Sequence, residues 1–118
     1  MRTTKGAARN QAKKRLFRKT KGYTGGRGNL LRSAKETLLR AGAYAFRDRR
    51  VRKREFRQLW IIRINAAARL NGMTYAQFMH GLKLAGIELD RKVLADIAVR
   101  DPETFRRFAE SAREASAA

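Results

Sequence analysis

Between Arg47 and Arg57 the chain sets seven cations in eleven residues: Arg47, Arg49, Arg50, Arg52, Lys53, Arg54 and Arg57, opposed only by Asp48 and Glu55. The chemistry open to such a run is neutralisation of a polyanion. On a helix, steps of about 100° spread these side chains around the whole circumference. No side is then left to pack on a protein core. Like charges three and four residues apart also repel, which weakens the helix in isolation. Surrounding phosphates give every cation a partner. The run therefore reads as a helix embedded in folded nucleic acid and contacted on several sides. A solvated surface helix is the alternative, but its charges are normally of mixed sign. Arg50 and Arg54, one helical turn apart, are expected to share a face against the nucleic acid.

The same chemistry extends through the first 73 residues, which hold 22 Lys and Arg against Glu36, Asp48 and Glu55. Residues 74–118 hold seven cations and seven acids, so the net charge of +19 belongs entirely to the first part. Further candidate phosphate ligands precede the run: Lys5, Arg9, Lys13, Lys14, Arg15, Arg18, Lys19, Lys21 and Arg27 in the tail, then Arg32 and Arg40. Arg63 and Arg69 follow it. Tyr23, beside Gly22, either stacks on an unpaired base or packs locally. Gly25, Gly26 and Gly28 either admit a phosphate backbone or form a flexible hinge. They are not a P-loop, because no Gly-Lys-Ser/Thr follows. A basic tail, a Gly-rich turn and a long cationic helix suit a crevice between RNA helices, where shape and backbone dominate recognition. A sequence-reading DNA module would instead offer one recognition helix or a symmetric dimer surface.

Other chemistries find no purchase. His80 is the only histidine and stands on a helix beside Met79 and Gly81, as a surface or helix-end residue. Glu88, Asp90, Asp96, Asp101 and Glu103 fall mostly where caps and first turns favour acids. No His, Asp and Glu grouping has metal-ligand spacing, and no nucleophile has an evident base. Catalytic, cofactor and metal sites are therefore not expected, nor is a small-molecule substrate. Trp60 lies among Leu59, Ile61, Ile62 and Ile64 and reads as core. Cysteine is absent, which removes disulfides and thiolate sites and fits a reducing cytoplasm. No apolar run after Arg2 has signal-peptide character, and none approaches the roughly 18 residues of a membrane span. A membrane partner is not expected either.

The elements that must position these cations follow from local signals, and the class is all-α. Ala7, Ala8, Ala12, Leu16 and Phe17 are spaced for a short helix, and Lys21 to Asn29 forms a loop of clustered glycines. Strong helix formers from Leu30 to Leu70, interrupted only by Gly42, predict one long helix bent at that glycine, about 60 Å in length. Asn29 is one candidate cap; Ser33 with Glu36 is another, one turn later. Asn71-Gly72 ends the helix, Thr74 with Gln77 is a capping-box pair, and Tyr75, Phe78, Met79 and Leu82 make the next apolar stripe. Gly86 stops that helix. Asp90 caps a third, with inner face Val93, Leu94, Ile97 and Ala98. Asp101-Pro102-Glu103 opens a last one, bearing Phe105, Phe108, Ala109 and Ala112. The organisation expected is an extended basic, Gly-containing RNA-binding tail over residues 1–29 and a long cationic helix embedded in RNA over 30–57. A small all-helical C-terminal domain over 58–118 follows, with the long helix continuing into it to about 70.

The stretch KREFRQLWIIRINAAAR, Lys53 to Arg69, resembles the bacterial large-subunit ribosomal protein family L-twenty. The preceding AGAYAFRDRRVR and the following LNGMTYAQFMHGLKLAGIELDRKVLADIA are similar to it as well. In the tail, Lys21-Gly22-Tyr23, Gly25 or Gly26 and Arg27 fit the family's pattern, with fewer cations and more glycine than that pattern carries. The resemblance implies a cytoplasmic structural component of the large ribosomal subunit that binds 23S ribosomal RNA directly and acts early in assembly. Its arm and long helix would penetrate the RNA, with the L-thirteen and L-twenty-one proteins as neighbours. Two further readings stay open beside it: an RNA-binding repressor of its own messenger RNA, and a DNA-compacting architectural protein. The last lacks a visible dimerisation element or minor-groove wedge.

Overall fold

The computed structural model describes residues 6–117. Among these, every regular element is helical: α1 (Ala7–Lys19), a 3-10 turn (Gly25–Arg27), α2 (Leu31–Leu70), α3 (Tyr75–Leu84), α4 (Arg91–Arg100) and α5 (Pro102–Ala117). The chain divides into two compact units, one ending at Arg50 and the other beginning at Val51. The boundary falls within α2.

In the first unit α1 carries Arg18 and Lys19 in its last turn, where cations offset the helix dipole. The following loop is a folded turn rather than a hinge. Thr20 is fully buried, and its hydroxyl lies 3.4 Å from the carbonyl oxygens of both Phe17 and Gly28. The Tyr23 amide donates to the Thr20 carbonyl at 3.0 Å, and the Leu30 amide to the Gly26 carbonyl at 2.9 Å. Backbone crowds Gly28 so closely that a β-carbon there would stand 2.8 Å from the Tyr23 carbonyl oxygen. That glycine therefore serves the turn's own packing. Ala34, fully buried on α2, completes the small interior of this unit.

Neither proposed cap opens α2. The helix begins at Leu31, which leaves Asn29 one residue too early and Ser33 already inside the first turn. The Glu36 carboxylate accepts from Arg32 at 3.3 Å instead of reaching back to a backbone amide. The helix also runs through Gly42 without interruption.

The second unit is specified at nearly every boundary. Gly72 at φ 74° ends α2: its amide donates to Arg69 and that of Met73 to Ala68, both at 3.0 Å. This paired closure satisfies carbonyls that a helix end otherwise leaves open. Gly86 closes α3 in the same way, with the Ile87 amide donating to Leu82 at 3.0 Å. At the start of α3 the Thr74 hydroxyl accepts from the Gln77 amide at 3.3 Å, and the Gln77 side chain accepts from the Thr74 amide at 2.9 Å. The Asp90 carboxylate accepts from the Val93 amide at 2.8 Å, and that of Asp101 from the Thr104 amide at 3.1 Å. The Thr104 hydroxyl donates to Asp101 as well. These bonds hold the exposed Asp101 carboxyl below its ordinary value near 3.8, the Thr104 hydroxyl contributing most and its amide next.

Ile64 and Ala68 from α2, Phe78 and Leu82 from α3, Leu94 and Ala95 from α4, and Phe105, Ala109 and Ala112 from α5 form one core, with Met73 at its edge. Trp60 packs against it, as expected. Phe78 and Phe105 stack with ring centroids 4.8 Å apart, a geometry worth about 0.5–1.5 kcal/mol beyond the area it buries. One expected core residue is not there: Val93 is 42% exposed, and Ala95 takes the inward position beside Leu94. The rest of the predicted face holds, with Leu94 buried in the core and Ile97 and Ala98 packed against it. Arg91 donates to the Tyr75 hydroxyl at 2.8 Å, joining α4 to α3 on the rim.

Candidate nucleic-acid interface

The cations lie where solvent, or a polyanion, can reach them. On α1, Arg9, Lys14, Arg15, Arg18 and Lys19 are exposed and Lys13 is half-buried. Lys5 lies outside the described residues. Lys21 and Arg27 project from the turn, exposed, while Tyr23 is half-buried there. Arg32, Arg40, Arg47, Arg49 and Arg50 are exposed on α2 within the first unit. Within the second unit, Arg52, Lys53, Arg54, Arg57, Arg63 and Arg69 are exposed on the same helix.

Few of these charges are spent inside the protein. Arg32 pairs with Glu36 at 3.3 Å and Arg47 with Asp48 at 2.8 Å, both pairs largely exposed. Exposed pairs of this kind contribute about 0–1 kcal/mol, so they hold the arginines lightly. The Arg69 guanidinium donates to the Asn65 side chain at 3.4 Å. Arg47 also lies 4.7 Å from the Tyr44 ring centroid, and Arg50 lies 4.6 Å from that of Phe46. Such contacts offset part of the repulsion along the cationic run, at about 0.5–1 kcal/mol each on an exposed surface.

The first unit gathers two of the cations named from sequence. The 3-10 turn brings Arg27 against the first turns of α2, where it lines a cleft of about 550 Å³ with Ser33, Glu36, Thr37, Arg40, Ala41 and Tyr44. Apart from Lys21 on the turn, the remaining described cations are distributed along helices instead of converging.

Sequence reasoning missed three residues. Lys35 is exposed on α2 and borders a hollow of about 330 Å³ with Leu16, Leu38 and Leu39. Tyr44 and Phe46 are 54% and 55% exposed, aromatic rings presented among arginines. An aromatic residue three or four positions before an arginine on a helix was the signal, since that spacing places ring and guanidinium side by side.

No metal or membrane element competes with this reading among the described residues. No group of three His, Cys, Asp or Glu is placed to hold a metal. No helix is long and apolar enough to cross a membrane. His80 is exposed on α3.

Comparison with known proteins matches residues 2–108 to the family model described as Ribosomal protein L20. A protein of Rhodopirellula baltica named Large ribosomal subunit protein bL20 is 63% identical over 118 residues, covering 100% of both chains. Its namesake in Nitratidesulfovibrio vulgaris (strain DP4) is 58% identical over 113 residues, covering 96% of this chain and 97% of the other. In Roseiflexus sp. (strain RS-1) the identity is 55% over 114 residues, with 97% of each chain covered. A match of this extent and identity, on a helical fold with its cations displayed outward, has one meaning: the chain belongs to the ribosomal protein L20 family.

Proposed function

We propose that the chain binds large-subunit ribosomal RNA directly and is needed for early assembly of that subunit. Its role is structural rather than enzymatic, in keeping with its ribosomal family. The observation that carries the RNA reading is the segregation of charge. The whole +19 lies in residues 1–73, and among the described candidate cations all but the half-buried Lys13 are exposed. A surface of that kind is stable next to a dense polyanion and self-repelling away from one. Cations spread along helices, rather than focused on one groove-reading face, favour a folded RNA whose strands approach from several directions. The neighbours proposed are the L-thirteen and L-twenty-one proteins of the same subunit.

Ultraviolet crosslinking of a tagged copy in growing cells, with sequencing of the adducts, tests the reading. Adducts should fall on large-subunit RNA, through residues of α1 and α2, and the tagged protein should sediment with large subunits and their precursors. Adducts confined to DNA, or to the protein's own messenger RNA, would overturn it.

A further inference from the structure

The first 73 residues contain only three acids, and each weakens attraction to phosphate. Asp48 is accounted for by Arg47 at 2.8 Å. Glu55 stands exposed within the cationic run. Glu36 is different, because it lines the cleft of about 550 Å³ between Arg27 and α2. It pairs with Arg32 at 3.3 Å, whose side chain is 93% exposed. A carboxylate held so lightly at the wall of a cleft retains acceptor capacity on both oxygens.

The other walls supply what a nucleotide requires. Arg27 and Arg40 are cations with planar donor forks suited to phosphate. Tyr44, 54% exposed, offers a ring on which a base can stack. The Thr37 hydroxyl donates to the Ser33 carbonyl at 2.7 Å, which leaves its lone pairs free to accept. A cleft of this size falls in the range that admits a small ligand.

We propose that this cleft takes one unpaired guanine nucleotide of the RNA. The base lies against Tyr44, its Watson–Crick edge donates to Glu36, and a flanking phosphate is held by Arg27 and Arg40. Guanine is the base that fits a carboxylate, because N1–H and N2–H₂ are parallel donors matched to two oxygens. Adenine presents an acceptor at N1, cytosine a single amino donor beside an acceptor, and uracil a single imino donor between two acceptors. Recognition of a splayed base by stacking and by its Watson–Crick edge is the usual route to sequence preference in RNA. This inference rests on the RNA-binding reading above, and it adds base selectivity to it.

The test uses the full chain and three single-stranded RNA heptamers: oligouridine, the same with a central guanosine, and the same with a central inosine, which lacks the N2 amino group. Affinity for the guanosine heptamer should exceed that for oligouridine about tenfold, the scale of one bidentate base contact, with inosine between. Glu36→Gln should abolish that preference and leave oligouridine binding unchanged or tighter. Tyr44→Ala should weaken all three, by about tenfold for a lost stack. Equal affinity of the unaltered chain for all three, or a preference that survives Glu36→Gln, overturns the guanine site and leaves general RNA binding standing. Failure to bind any of the heptamers and ribosomal RNA as well would overturn the RNA-binding reading and this site together.

Discussion

Gly81 of α3 and Ala112 of α5 meet almost backbone to backbone: a β-carbon added to Gly81 would lie 2.7 Å from that of Ala112 and closer still to its carbonyl oxygen. Both residues are buried. The approach lets Phe78 and Phe105 stack at 4.8 Å in the same interface. Gly81 therefore fixes how the C-terminal helices pack.

Gly81→Ala is accordingly predicted to destabilise the protein despite the better helix propensity of alanine. Overpacking of this kind costs about 1–3 kcal/mol, against a propensity gain of roughly 1. Gly42→Ala is the matched control, since nothing lies within 4 Å of its β-carbon position. There the propensity gain of about 0.5–1 kcal/mol acts alone. Thermal unfolding followed by circular dichroism should show a lower midpoint for the first variant, and retained or increased helicity in the second.

Asp101 gives the second unit an acid-sensitive cap. The Thr104 hydroxyl and amide favour its charged form, so its folded value lies below the ordinary 3.8. A depressed value means stability that is fully present above pH 3.8 and lost as the pH falls through the folded value. Asp101→Asn keeps an acceptor for the Thr104 amide but removes the titration. The stability gap between the unaltered chain and this variant should be constant near neutrality and narrow below pH 3.8, as read from unfolding midpoints across pH. A gap independent of pH down to 2 would contradict the assignment.

Arg50 and Arg54 are both exposed on α2, four residues apart, and neither contributes to the core of the second unit. Replacing both by Glu should abolish incorporation into large subunits without altering folding of that unit. Sedimentation of a tagged double variant would decide this. Normal incorporation would mean that the cationic helix is not embedded in RNA.

Much of this fold is written locally. Gly72, Thr74 with Gln77, Asp90 and Asp101-Pro102 each set a helix end through bonds to neighbours within a few residues, so their positions can be read directly. One position on the α4 face could not be read in the same way. Val93 is more hydrophobic than Ala95, yet α4 turns Ala95 inward, and close packing decides that choice. Along α2 the cations were legible as charge, but the cleft was not. Arg27 comes to line one cleft with Arg40 and Glu36 through a turn organised on the buried Thr20 and the crowded Gly28. Nothing in the spacing of those residues encodes that geometry.

Salt dependence tests the central claim most directly, that the basic part of the chain is the principal RNA-binding element. Residues 58–118 retain Trp60, Ile64 and Ala68 for the core and carry nine cations against seven acids. The full chain and this fragment should be titrated on one large-subunit RNA fragment at increasing salt. If about ten phosphates are neutralised, counterion release gives the full chain a logarithmic slope of roughly −7 to −9, with single strands and duplex DNA as the limits. The fragment should bind far more weakly, with a much shallower slope. Equal slopes for the two would contradict the claim.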